Sequence, residues 1–462
     1  MSRSYKHKFI YCFLIASLAL VYSPNCIYAD DSGSSSLNGE AVSGDTDSLK
    51  SLRNYLVEAA RSNDQLYSAF YAWKSALQRE GSVSSLPDPR FNFGWFIQPV
   101  ETRTGPQEFK YGLSQTLPWF GKLGLRGEKA LKSADIQKAK FDDLKLKIFY
   151  KVKTAYYDYA YLAQAIKVTK EYIALMEYLE NVARARYSAG TGGYDGVIKT
   201  QVELGKLQNR LDSLNAYKEP TIAKLLSVIN SPADRKLPMP ENIPVMVIKP
   251  KLDELKSIFK SGNPRLKALD HKIDMEKIGV QLAEKDYFPD FTFGLDYIQT
   301  GKSRSPNVTN SKRDPIVAGM SVNLPIWFDK QEAQLSEAKN SVRAAKRARS
   351  GLERDLEADL ELEVYRYQDA IRKVNLYHDT LTPKAEQSLG VTIEAFQSGS
   401  ATSSDLIDAE RTLIEFNLSY YRALAEQAKK VAAIEYLVGR EIPCSVHGQM
   451  LPSVYPRDPD KQ

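Results

Sequence analysis

EKALKSADIQKAKFDDLKLKIFYKVKTAYYDYAYLAQAIKVTKEYIALMEYLENVARARYSA, residues 128–189, holds neither glycine nor proline. Apolar or small residues recur in steps of three and four: Phe141, Leu144, Ile148, Val152, Ala155, Tyr159, Leu162, Ile166, Thr169, Ile173, Met176, Leu179 and Ala183. That period puts them on one face of a single helix. At 1.5 Å per residue, roughly 60 residues make a rod of about 90 Å, several times the ordinary helix. No compact core can cover it, so it must pack lengthwise on other long helices, as in a coiled coil. A second rod is predicted over about 329–397, with Val342, Ala345, Leu352, Leu356, Leu360, Val364, Tyr367, Ile371 and Val374 on one face. Pro383 should interrupt it and restart it as a first residue.

Each rod follows a β-hairpin. Arg90-Phe91-Asn92-Phe93-Gly94-Trp95 alternates with period two, and Phe109-Lys110-Tyr111-Gly112-Leu113 alternates again after the polar turn 99–106. Phe291-Thr292-Phe293-Gly294 and Ile316, Ala318, Met320, Val322 and Leu324 form the second hairpin, with a longer loop. A helix over about 48–80 precedes the first hairpin, and one opening at Asn263-Pro264 precedes the second. Return helices follow, at about 194–226 with a break near Pro220, and at about 403–437. The two halves repeat. Pro89 and Pro289 lie 200 residues apart, Leu117-Pro118 and Leu324-Pro325 207 apart, and Gly190 and Gly399 209 apart.

The N-terminus reads as a signal peptide, 1–29: Arg3, Lys6 and Lys8 precede an apolar run, and Ala29 precedes Asp30-Asp31. An uncleaved anchor and a lipoprotein modified at Cys26 are the alternatives. The divisions expected next are a disordered linker at 30–47, a first repeat at 48–230, an inter-repeat linker at 231–262, a second repeat at 263–440 and a tail at 441–462. A short strand is expected at Val245-Met246-Val247-Ile248. Loss of Arg3, Lys6 and Lys8 lowers the net charge from +6 to +3, too mild for a nucleic-acid partner. Cys12 and Cys26 leave too, so Cys444 stands alone without an intrachain disulfide. Past the signal, no apolar run reaches the ~18 residues of a spanning helix.

Four amphipathic strands of about ten residues cannot close a transmembrane barrel, which needs about eight. Left open, their sheet exposes two edges. Several copies sharing one barrel would resolve both difficulties. Trp119, Phe120, Tyr287, Phe288, Trp327 and Phe328 gather near the strand ends, where a membrane girdle would lie. A soluble sheet lid with core aromatics is the rival reading of these strands.

The plan resembles the TolC-type outer-membrane efflux proteins. The likeness rests on the exits Leu117-Pro118-Trp119-Phe120-Gly121-Lys122 and Leu324-Pro325-Ile326-Trp327-Phe328-Asp329-Lys330, on the tips Tyr187-x-x-Gly190 and Phe396-x-x-Gly399, and on the run from Gly399 to Glu410. It covers about residues 48–440. The Pro-Trp-Phe-Gly-Lys form is closest to the heavy-metal-efflux branch. The resemblance implies a mixed α and β membrane protein: a homotrimer whose twelve-stranded outer-membrane β-barrel continues into a periplasmic coiled-coil tunnel. It implies a periplasmic adaptor and an inner-membrane transporter as partners, in efflux or type I secretion. It places acidic side chains at the tunnel aperture. Asp405 and Asp408, six and nine residues after Gly399, have that spacing, although carboxylates there also suit the start of a helix.

The first tip departs from this pattern. Asp195 lies five residues after Gly190, and Ala401 stands where a basic gating partner is sometimes found. Gly190, Gly192, Gly193 and Gly399 make the tips the expected moving part and adaptor contact. No catalytic or cofactor constellation is expected: His7, His271, His378 and His447 are scattered, and Walker and GxGxxG loops are missing. Asn307-Val308-Thr309 fits a glycosylation triplet by chance. An exported coiled-coil scaffold is the alternative to an exit duct.

Overall fold

A computed structural model describes residues 39–306, 308–446 and 449–450. The expected signal peptide with Cys26, the start of the linker, Asn307, His447 and the end of the tail lie outside the described residues. Contacts separate two units, Met1–Ser43 and Gly44–Gln462. The described residues of the first are the opening of α1 (Gly39–Ser62), and apart from that opening all that follows concerns the second.

In chain order the elements are α1 (Gly39–Ser62), α2 (Asp64–Ser84), β1 (Arg90–Trp95), β2 (Glu101–Thr102), β3 (Gly105–Leu117), α3 (Lys122–Ser188), α4 (Tyr194–Ala216) and α5 (Lys218–Ile229). There follow β4 (Val247–Ile248), α6 (Leu252–Gly262), α7 (Pro264–Lys285), β5 (Phe291–Thr300), β6 (Ile316–Val322) and α8 (Phe328–Leu376). A π-helical turn (Tyr377–Leu381), α9 (Thr382–Ser398), α10 (Ser403–Val438), β7 (Cys444–Val446) and β8 (Gln449–Met450) complete the chain.

The first rod is one unbroken helix of 67 residues. It packs on α2 and α7 and on α4, α5 and α10, and passes through two apolar clusters. One gathers Ile148 to Ala160 with Leu56, Leu226, Phe259, Leu360 and Ile434, and the other gathers Ala165 to Ala183 with Val197, Leu207, Phe396, Leu406 and Leu413.

Several expectations need correction. The expected one-faced rod is buried well beyond one face across its middle, where Tyr156, Tyr157, Ala160 and Ala165 join the stripe residues in the interior. The cause is the linker, which wraps it: Tyr159 Oη donates to the Leu237 carbonyl at 3.1 Å, and the Gln164 amide donates to that of Glu241. The linker also holds a helix that was not expected, α6, which buries Leu255 and Phe259. The stretch expected to be disordered to residue 47 is helical from Gly39.

The single helix over 48–80 is two, because Asn63 interrupts it. Asn63 Oδ1 accepts from the amides of Gln65 (3.0 Å) and Leu66 (3.2 Å), capping α2. Asn263 caps α7 in the same way, at 2.9 and 3.2 Å. Each also donates from Nδ2 to a carbonyl near the end of a return helix, Val228 at 2.9 Å and Leu437 at 2.7 Å. The second rod divides into α8 and α9 about the π turn. Pro383 has no N–H, and its ring crowds the carbonyl four residues back, so the wider turn absorbs the misfit. The tail is not free at its start: Cys444 and Ser445 pair with Ile248 and Val247, placing β7 beside β4.

The hairpins join as one antiparallel sheet in the order β1-β3-β5-β6, with β2 paired to β3. Its register aligns Phe93, Tyr111, Tyr297 and Ile316 in one row and Phe91, Leu113, Leu295 and Ala318 in the next row on that face. Farther rows on this face are Gln115-Phe293-Met320 and Leu117-Phe291-Val322. The other face carries Asn92, Gly112, Asp296 and Val317, then Ser114, Gly294 and Gly319, then Thr116, Thr292 and Ser321. Alternation therefore separates an aromatic and aliphatic face from a mainly small and polar one. Among the described residues no helix is long and apolar enough to cross a membrane.

Candidate functional site

Two regions carry the candidate residues: the turns between long helices and the sheet with its exits.

The turns are built alike. Gly190 (φ 72°) and Gly399 (φ 90°) are left-handed, a conformation that costs a side chain and suits glycine. After each, an amide reaches back five residues: Thr191 N to Arg186 O at 3.0 Å and Ser400 N to Ala395 O at 2.8 Å. Both are Schellman closures, which satisfy carbonyls that the helix end leaves open.

Arg186 ties the turns together. Nη1 donates to the Phe396 carbonyl at 2.5 Å and Nη2 to that of Thr191 at 3.0 Å, while the guanidinium lies 4.7 Å from the Phe396 ring centre. Reading the sequence missed this residue. Ala401 leaves the second turn without a basic group, and the cation comes instead from the first turn, 210 residues away. The tyrosines of the first turn, Tyr187 and Tyr194, lie 5.2 Å apart between ring centres.

Asp405 and Asp408 both sit exposed on the first turns of α10. Asp405 is also a structural residue. Its Oδ2 accepts from Thr402 N (2.9 Å) and Thr402 Oγ1 (2.7 Å), and its amide donates to Thr402 Oγ1, a complete capping box. These bonds, the backbone one foremost, hold its carboxyl below the usual range. Asp408 meets Arg411 at 3.8 Å. Asp195, in the first turn of α4, faces Lys199 at 3.3 Å.

Just beyond, Arg411 on α10 grips Glu203 on α4 through Nε at 3.0 Å and through Nη2. That fork, more than burial opposes it, holds Glu203 below the usual carboxylate range. Next to Arg411, Glu410 is fully buried.

At the other end, six aromatics surround the strand exits. Trp119 stacks on Phe288 at 5.0 Å and on Phe291 at 6.0 Å, and Phe120 meets Trp119 edge-on at 5.8 Å. Tyr287 is half-buried. Phe120, Trp327 and Phe328 stand 81%, 72% and 65% exposed. A buried lysine, Lys122, fixes this cluster: Nζ lies 3.0 Å from Asp290 and 3.2 Å from Asp286, and Asp290 also accepts from Trp119 N at 2.7 Å. All six aromatics lie at the helix-side ends of the strands. At the far end stand Trp95, Ile97 and Ile316, which sequence reading did not assign to a girdle; period-two spacing was the available signal. Among the described residues no group of three or more His, Cys, Asp or Glu is placed to hold a metal ion.

The family profile of the outer membrane efflux protein matches residues 67–219 and 257–440, well over half of the chain. The "Toxin and drug export protein A" of Aggregatibacter actinomycetemcomitans is 24% identical over 189 residues, 40% of this chain and 40% of that protein. The "Cobalt-zinc-cadmium resistance protein CzcC" of Cupriavidus metallidurans is 27% identical over 187 residues, 39% of this chain and 41% of that one. The chain thus spans about two fifths of the length of the curated relatives it matches. Among solved structures, the outer membrane protein VceC of Vibrio cholerae superposes with a TM-score of 0.70 at 16% identity, covering 85% of this chain and 97% of the other.

Proposed function

The chain belongs to the outer membrane efflux protein family, and we propose that it is the passive exit duct of a tripartite efflux or secretion system. It performs no chemistry. Three copies join their four-stranded sheets into one twelve-stranded barrel in the outer membrane, after removal of the signal peptide, and their helices line a periplasmic tunnel. The two halves of the chain are tandem copies of one unit, since capping asparagines, hairpins and Schellman turns recur in the same order.

The observation that carries this reading is the sheet. Phe91, Trp95, Ile316 and Met320 expose 67%, 66%, 67% and 61% of their surface on its apolar face, and β1 and β6 are free edges. Lipid and neighbouring copies satisfy both at once. The polar face, with Lys110 and Asp296 paired at 2.8 Å, then faces the lumen, and the aromatics around Trp119 and Trp327 mark the periplasmic interface.

At the opposite end, Asp405 and Asp408 ring the aperture. Six carboxylates from three copies favour cations by charge. The turns at Gly190 and Gly399 move during opening and meet the periplasmic adaptor, which links the duct to an inner-membrane transporter. Relatives with unlike printed cargo, toxin and drug in one name and three metals in the other, favour a duct that leaves the choice of cargo to its partners.

Purified protein in planar bilayers tests the reading. A trimer that resists dissociation on gels and conducts ions supports it. A well-folded monomer, soluble without detergent and unable to conduct, supports the exported scaffold instead.

A further inference from the structure

Glu410 occupies a place meant for an apolar residue. It lies on the stripe of α10 formed by Leu406, Leu413 and Ile414, which packs into the cluster of Val168, Tyr172, Met176 and Leu207. It is 0% exposed, and neither carboxylate oxygen has a hydrogen-bond partner. The adjacent Arg411 turns away to grip Glu203, which Lys206 also meets at 3.2 Å. Arg411 is therefore engaged by a competing carboxylate.

The charged and titratable groups facing Glu410 are Glu203 and Arg210 from α4, Tyr172 from α3 and Arg411 from its own helix. Glu171 of α3 and Glu386 of α9 act in turn on Tyr172. Tyr172 Oη accepts from Asn417 Nδ2 at 2.9 Å. Burial, and then the charge of Glu203, push Glu410 up to about 7, against the opposing pull of Arg411 and Arg210. An ionised carboxylate without partners is costly in such a place, and a neutral one far less so.

We propose that Glu410 is a proton-binding site controlling closure of the tip bundle: as a neutral acid it lets α10 pack on α3 and α4, and when it ionises it drives α10 outward to water. The sign follows from linkage. The packed state binds the proton more tightly than an open state, whose carboxyl returns to its ordinary value of 4.5. Opening therefore grows as pH rises between about 4.5 and about 7 and levels off above. The increase between pH 5.5 and pH 7.5 should be on the order of tenfold or more.

This inference rests on the duct reading only where conductance is measured. Open probability of the full-length protein in bilayers should rise at least several-fold over that pH range, and Glu410→Gln, a neutral isostere, should hold it low throughout. In the double variant Asp405→Asn with Asp408→Asn the pH response should persist, separating Glu410 from the aperture. Infrared spectra of the detergent-solubilised protein should show a protonated-carboxyl band that titrates toward neutral pH and is missing in Glu410→Gln. A pH response unchanged in Glu410→Gln overturns the proposal, as does a wild type without that band. If no form conducts, the duct reading fails, and the infrared band with amide exchange along 403–414 still decides whether the proton sits on Glu410 and loosens α10.

Discussion

Asp405 and Asp408 lie three residues apart on α10, yet only Asp405 is bonded to the backbone it starts. The two substitutions should therefore separate. Asp408→Ala should lower cation selectivity in bilayers and leave the helix start intact. Asp405→Ala should lower selectivity and also raise amide exchange at 403–406 several-fold, because the capping box is lost. The pH signs of the tip also oppose each other. The lowered Asp405 carboxyl favours the cap above the ordinary carboxylate range, and that contribution is lost as pH falls through its lowered value. Glu410 favours packing at low pH, and its contribution is lost as pH rises toward about 7. The glycines of both turns were legible from their echo 209 residues apart. Arg186 was not: it is one of many basic residues, and what distinguishes it is a carbonyl at Phe396 that only folding brings near. Glu410 was within the run quoted for the family likeness, but nothing in spacing says that a glutamate on an apolar stripe stays buried rather than turning to solvent.

At the scale of elements, Asn63 and Asn263 each end one helix, start the next and bind a return helix. Asn263→Ala removes a cap and leaves the Leu437 carbonyl buried without its donor. The expected cost is about 2–3 kcal/mol, combining a cap of about 1 with a lost buried bond. Asn263→Asp keeps the cap acceptor and should recover part of it. Denaturant titration of the detergent-solubilised protein measures both, and equal losses for the two variants would contradict the dual role. The helix pattern was legible because gaps of three and four mark a buried face whatever covers it. The interruptions were less so. Asn63 looked like a polar position within a helix; its cap on α2 is local, but its bond to the Val228 carbonyl depends on α5 arriving beside it. Pro383 announced both the break and the restart, since it stands at the start of α9; the π turn that precedes it, keeping α8 and α9 continuous, was not legible.

For the whole molecule, the two faces of the sheet make opposite predictions. Phe293→Lys, on the apolar face, should impair trimer assembly and membrane insertion, at about 2–4 kcal/mol if it lies near the bilayer midplane. Thr292→Lys, one residue earlier on the polar face, should assemble normally and alter conductance. Heat-resistant trimer bands and channel recordings distinguish them, and equal damage from both would argue against a lipid-facing apolar side. The sequence by itself determined the rods, the hairpins, the recurring landmarks and the alternation of strand faces, because period and turn chemistry act over a few residues. Only the tertiary structure decided that the linker wraps the middle of α3, that the start of the tail pairs with β4, that Arg186 and Glu203 meet partners on other elements, and that Glu410 is buried without one. Those arrangements join residues up to some two hundred positions apart, and the local pattern around each is compatible with many partners until packing selects one.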